Sequence, residues 1–343
     1  MNKVHEQLIS KECNEMQSLY RYVKKVKDQI SATASSVYII QGNEVIGEWY
    51  EGMDPSSHRK IDENTRFNVF SVRKSYIGLA TAIMLHEGKI KDIDDAVSAY
   101  LGDNDLWEGI TIRHLVTHTH GLNDDLQDVK KSGPPGTVWK YNGAGLSLLY
   151  KIIVKVSGRT VSEILKAYVF NPLQLRETGW ESEPSLHLTA DVNEQNQPSI
   201  WLEDRSGFER NLFVSTRELA HWAYFHLHNG RIGQIQVLPA ALFDMTTSIQ
   251  TPAQMKNVPQ NGFFWFRNEN QYEKSELGED VPQGSYQILG ASGCTCLVIP
   301  EYDAVAVRMY NKRGNPPGYD YLRDIKNFGN IVNSILIKRR GES

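Results

Sequence analysis

Strand-like runs stand near both ends of the 343-residue chain, and helix-like runs fill the space between them. At the N-terminal end, Ser36–Gln41 and Glu44–Tyr50 are joined through Gly42-Asn43, a hairpin signal. At the C-terminal end, Gly262–Arg267, Tyr286–Leu289, Thr295–Ile299 and Ala304–Met309 are β-branched or aromatic runs separated by turn residues. Strands so far apart in sequence bury their faces most economically in one sheet assembled from both ends, with a helical region inserted. The reading is therefore an α/β (α+β) chain. Its antiparallel sheet is drawn from about residues 30–60 and 260–340, its helical region covers about residues 71–250, and residues 1–343 form one unit.

Within the middle region, helices are expected at Ser71–His86, stopped by Gly88, and at Ile112–Thr117, Leu146–Val156, Val161–Phe170 and Thr216–His228. Two more bracket the chain. Residues 3–30 carry Met16, Leu19, Tyr20, Val23, Val26 and Ile30 at three- and four-residue steps, and a last helix runs over Tyr319–Lys338.

Composition removes several classes of function. Lys and Arg number 37 against 41 Asp and Glu, a net charge of −4, and the basic pairs Lys24-Lys25 and Arg339-Arg340 are short. Nothing here forms a surface for nucleic acid. No run of eighteen apolar residues exists to span a bilayer, and the charged first thirty residues hold no signal-peptide core. Three cysteines make an odd count, with Cys294 and Cys296 too close for an ordinary disulfide. These features lead to the expectation of a cytoplasmic protein without a membrane partner. Oligomeric state is not readable.

Ser71-Val72-Arg73-Lys74 has the form S-x-x-K. If Ser71 opens a helix, residues three apart share a face and the lysine amine reaches the serine hydroxyl. Partial burial and the positive end of the helix both favour a neutral amine, which serves as the base that free serine lacks. The same tetrapeptide is also an ordinary helix start with a solvated lysine, so its surroundings decide.

Those surroundings are specific. Phe67-Asn68-Val69-Phe70 precedes Ser71, and Glu87-Gly88-Lys89-Ile90 follows the helix. Then come Asp94-Asp95-Ala96-Val97, the stretch Ile110–Leu122 with Thr117-His118-Thr119-His120-Gly121-Leu122, and Pro135-Gly136-Thr137-Val138-Trp139-Lys140-Tyr141. Over roughly residues 35–310 this succession resembles the β-lactamase-related serine hydrolases. That group holds class C β-lactamases, D-Ala-D-Ala carboxypeptidases, D-aminopeptidases, related esterases and 6-aminohexanoate-dimer hydrolases. The resemblance implies a β-lactamase/DD-peptidase-like fold and three catalytic motifs.

By that resemblance Ser71 is the nucleophile and Lys74 its partner. Tyr141 matches the tyrosine of Y-x-N, which moves protons between nucleophile and leaving group, with its acidity raised by the Lys74 cation. The asparagine place of that motif falls on Gly143, with Asn142 one residue early. The third motif, K-T-G or H-x-G, matches Ala291-Ser292-Gly293 without the cationic or imidazole side chain. The same match makes the backbone N–H groups of Ser71 and Cys294 the oxyanion hole, and Asn142, Gly143, Ala291, Ser292 and Gly293 substrate-binding positions.

The expected activity is hydrolysis of an amide or ester of a small molecule through an acyl-enzyme on Ser71, with no cofactor and no metal. A true β-lactamase or D-Ala-D-Ala-type peptidase is the first alternative, disfavoured by Gly143 and Ala291. The second is a catalytically silent, penicillin-binding-like protein that only holds a ligand. His118-x-His120 lacks the spacing of a zinc site. Cys294 is read as a small buried hydrophobe and Asp94-Asp95 as structural, while one ring of Phe263-Phe264-Trp265-Phe266 is free to face a cleft.

Overall fold

The computed structural model describes residues 8–341 except 12, 125–128 and 270–274. Its central sheet has seven strands in the order Ile9–Ser10, Glu44–Gly52, Ala34–Gln41, Ala304–Tyr310, Thr295–Ile299, Tyr286–Leu289 and Phe266–Arg267. The strand from the first hairpin pairs directly with a strand more than 250 residues later, Val307 opposite Tyr38, so the two ends of the chain do build one sheet. One edge departs from the expected antiparallel order: Ile9–Ser10 runs parallel to Glu44–Gly52. The sheet is mixed.

Alternation along the strands explains why both faces are covered. Val37, Ile39, Leu297, Ile299 and Ala306 point to one side, where they meet the helices Met16–Gln29 and Tyr321–Gly341. Tyr38, Ile40, Val298, Val305 and Val307 point to the other and join the core of the inserted helical region. Strands buried on both faces read as continuous apolar runs, and Ala304–Tyr310 is buried at every position.

The first helix is shorter than the periodicity of residues 3–30 predicts. It begins at Met16, because Ile9 and Ser10 have joined the sheet edge, and residues 3–7 lie outside the described residues. The run Gly262–Arg267 also contracts. Only Phe266–Arg267 pairs in the sheet, since Phe264 takes φ +68° and turns Phe263, Phe264 and Trp265 into the core.

A second, three-stranded sheet went unread in the sequence. Leu212–Ser215 lies between Arg66–Asn68 and Thr178–Trp180, antiparallel to both. This small sheet delivers the chain to Ser71. Behind it the helix Arg73–His86 is buried over Arg73–Met84, apolar nearly all round as a core helix should be. Tyr76 stacks on Trp222 at 3.8 Å between ring centroids, and the Trp222 indole donates to Ser75 Oγ at 3.0 Å. Among the described residues, no helix is long and apolar enough to cross a membrane.

Candidate active site

Ser71 lies in a 3-10 turn, Phe70–Val72, that leads into the helix Arg73–His86 rather than in the helix itself. Phe70 adopts φ +43°, a left-handed conformation that costs a non-glycine residue roughly 1–2 kcal/mol. The neighbouring sheet holds it there. The Phe70 N–H donates to Asn68 Oδ1 at 2.9 Å, Asn68 Nδ2 donates to Arg210 O at 2.8 Å, and the Val69 N–H donates to Leu212 O at 3.0 Å.

One helical step on, Lys74 Nζ stands 3.1 Å from Ser71 Oγ and 2.5 Å from Tyr141 Oη. Two residues placed by local spacing thus meet a third from 67 positions later. Burial, with the Arg73 and Arg210 charges adding to it, holds the Lys74 ammonium well below the usual lysine range. Tyr141 goes the other way. Although the residue is 42% exposed, its hydroxyl is turned onto Lys74. Burial raises the phenol, and the hydrogen bond to Ser71 with the Arg73 charge offsets only part of that rise. Both shifts run against the expectation that the Lys74 cation acidifies Tyr141: the lysine is lowered and the phenol raised. The geometry points to Lys74 as the group ready to accept a proton.

The support for Tyr141 comes from beneath. His118, at φ +59°, is buried with its ring 4.7 Å from that of Tyr141, and the Lys140 N–H donates to His118 O at 2.9 Å. Burial holds this imidazole well below the usual histidine range. His120 is likewise buried, and its Nδ1 accepts from the Leu122 N–H at 3.1 Å. No group of three or more metal-ligating side chains occurs among the described residues.

The polar residues beside Tyr141 are braces. Asn142 Nδ2 donates to Leu122 O at 2.7 Å, while its Oδ1 accepts from the Ala144 N–H at 3.0 Å at the start of helix Ala144–Ser157. The Gly143 N–H donates to Asp124 Oδ2 at 2.8 Å. Neither residue lines the cavity, so the structure does not place Asn142 or Gly143 at a substrate.

That cavity measures about 820 Å³ and opens beside Ser71 and Tyr141, with walls from Trp139, Phe266, Glu276 and Tyr321. One of its edges is Leu289–Ala291, not the whole of the third motif. Gly290 closes the strand Tyr286–Leu289, its N–H donating to Cys294 O at 2.9 Å, and residues 290–293 form the turn to the next strand. Ala291 faces the cavity. Ser292 is buried with its Oγ on Asn68 O at 3.2 Å, and Gly293 at φ +85° backs onto Tyr310. Cys294 is buried behind the wall with its Sγ against Met309 Sδ at 3.2 Å, and burial pushes its thiol up to about 12. Ser292, Gly293 and Cys294 are therefore not brought to the cavity. Turn residues of this size give no period from which their register could be read. The Asp94 carboxylate, as expected, is occupied elsewhere, by Arg113 at 2.6 Å.

Gly290 fixes how close this edge comes to Ser71. A Cβ there would lie 2.4 Å from the Val69 carbonyl oxygen, a backbone atom that cannot swing aside. Gly290→Ala should push the edge away from Ser71 and slow any reaction at Ser71 by about 10- to 100-fold, since a displacement near 1 Å can cost about 10²-fold. Its folding should suffer only by the roughly 1–3 kcal/mol of an overpacked site. Acylation rates measured beside an unfolding curve check both halves.

Comparison with known proteins bears on the family and the fold. The beta-lactamase family model matches residues 20–327. An uncharacterized protein of Alkalihalophilus pseudofirmus is 39% identical over 330 residues, covering 94% of this chain and 97% of its own. A beta-lactamase of Yersinia enterocolitica is 30% identical over 146 residues, only 38% of this chain and 37% of its own length. Among solved structures, a class C beta-lactamase superposes with TM-score 0.77 at 14% identity, covering 94% of this chain and 97% of its own. EstCE1, described as a hydrolase with promiscuous acyltransferase activity, gives 0.73 at 20%, covering 92% and 99%. The family match over most of the length, on a mixed sheet with the helical region inserted, shows that this chain belongs to the beta-lactamase family and has its serine-hydrolase fold.

Proposed function

We propose that the protein is a serine hydrolase that cleaves an amide or ester of a small substrate through an acyl-enzyme on Ser71. The observation that carries this reading is the contact chain Ser71–Lys74–Tyr141 at the mouth of the cavity. Neutral Lys74 accepts the Ser71 proton as Oγ attacks the substrate carbonyl. The Ser71 N–H, together with a donor from the Leu289–Ala291 edge in place of buried Cys294, stabilises the alkoxide. As the tetrahedral intermediate collapses, the proton passes from Lys74 through the Tyr141 hydroxyl to the leaving group, which departs protonated. Water then attacks the ester, giving its proton back through the same pair to Ser71 Oγ. Every proton and bond in the cycle is accounted for by these groups and water.

The substrate class follows from what the walls offer. Ala291 brings no cation to the edge where a penicillin carboxylate would lie, and Asn142 has committed its amide to the backbone. An amide or ester without that carboxylate loses nothing by either feature.

A fluorophosphonate should add to the protein once, as seen by intact mass, and the adduct should vanish in Ser71→Ala. Equal labelling of the variant would sink the nucleophile assignment. Absence of any label from the folded wild type would favour a ligand-binding protein without turnover.

A further inference from the structure

We propose that the cavity carries a subsite for a cationic amine of the substrate, formed by Glu276 with the aromatic walls around it. The inference rests on the acyl-transfer reading only for which end of the cavity holds the reacting carbonyl.

Glu276 lines the same cavity as Ser71 and Tyr141 and is partly buried there. Among the described residues, no side chain or backbone group forms a hydrogen bond or ion pair with its carboxylate. Among the described residues, the one cationic side chain in that wall, Arg267, is already paired with Glu269 and lies 5.6 Å from the Tyr286 ring centroid. Burial raises the phenols of Tyr141 and Tyr321, and the Glu276 carboxylate adds to the rise of each. Burial pushes the carboxyl itself up to about 7, the response of an acid that lacks a partner. A bound cation would supply that partner and restore full ionisation.

The remaining walls suit the same ligand. Trp139, Tyr141, Phe266 and Tyr321 line the space, and the rings of Tyr141 and Phe266 stack at 6.5 Å. Aromatic walls with one buried carboxylate attract an alkylammonium twice, through ring quadrupoles and through direct charge. An anionic substrate meets the opposite: a carboxylate where it needs a cation. The chemical class is thus an amide or ester whose acyl or leaving group bears a protonated or quaternary amine.

The test measures binding without turnover. Phenyltrimethylammonium and its uncharged isostere tert-butylbenzene are titrated by calorimetry into Ser71→Ala, and then into that variant carrying Glu276→Gln or Glu276→Lys. The cation should bind about 10-fold or more tightly than the isostere, the preference should shrink to about twofold with Glu276→Gln, and it should reverse with Glu276→Lys. Equal affinities, failure of both compounds to bind, or a preference that survives Glu276→Gln would overturn the proposal. Because no acyl chemistry is involved, failure of Ser71 labelling would leave this result standing, and absence of a charge preference would leave the labelling standing.

Discussion

Lys74→Ala should lower kcat/KM for a p-nitrophenyl ester by about 10²- to 10⁴-fold, and Tyr141→Phe by about 10²-fold or more. The double variant should be within about threefold of the worse single one. The reason is geometric: one proton path runs Ser71 Oγ, Lys74 Nζ, Tyr141 Oη, with contacts of 3.1 and 2.5 Å, so breaking it once removes most of what it does. Phenylalanine keeps the ring against His118 and Phe266, so the loss reports the hydroxyl and not the packing. The pH profile gives a second reading. With Lys74 as the proposed base, the rate should rise with pH as the ammonium deprotonates. Because its pKa is held well below the ordinary value of about 10.4, that rise should be complete before the usual lysine range. Tyr141, raised above its ordinary value of about 10, should cause no decline before that pH. Multiplying mutant effects, or a rising limb centred in the ordinary lysine range, would remove Lys74 as the base.

What the sequence made readable and what it hid divide along the range of the interactions. Ser71 and Lys74 are three residues apart, and one turn of helix brings them together whatever the rest of the chain does. Tyr141 is a different case. Nothing in residues 71–74 points 67 positions ahead, and only the resemblance of the whole succession supplied it. The sheet from both chain ends was legible because Ala34–Gln41 and Ala304–Tyr310 are runs of eight and seven residues that carry Val37, Ile39, Ile40, Val305 and Val307. The three-stranded sheet that positions Ser71 was not, because Arg66–Asn68 and Thr178–Trp180 are three residues each, too short for a period. The third motif was placed in the right segment but at the wrong depth. Gly290, Ala291, Ser292 and Gly293 are all small, and which of them faces the cavity depends on where the turn begins. Glu276 had no local mark at all. Its setting exists only because Phe266 and Tyr321, from separate elements, wall the same space.

Asp324→Ala should destabilise the fold by about 3–5 kcal/mol, more than any surface substitution, though it lies on the sheet face opposite the nucleophile helix. Arg308, in the central strand, is fully buried and donates to both Asp324 oxygens, at 3.0 and 2.8 Å. Tyr22 and Tyr319 donate to the same carboxylate at 2.8 and 2.6 Å. One carboxylate thus ties the first helix, the central strand and the last helix together. Removing it leaves a guanidinium in the interior without its counter-ion, the costly half of a broken buried pair. Replacing both partners with apolar residues, Arg308→Met with Asp324→Leu, should cost less than Asp324→Ala alone, because no buried charge is then stranded. The pH sign follows from the same contacts. Burial alone would raise the Asp324 carboxyl, but the Arg308 charge and the hydrogen bonds from Arg308, Tyr319 and Tyr22 outweigh it and hold it below the usual range. A carboxyl lowered on folding contributes stability that is full above its unfolded value, about 3.9, and is lost as pH falls through the folded one. Wild type should therefore lose this part of its stability on acidification below about 3.9, while Asp324→Ala, already without it, should show a shallower decline there. Urea midpoints across pH 3–7 for wild type and the two variants measure both effects. A double variant less stable than Asp324→Ala would show that the pair itself, and not the stranded charge, sets the loss.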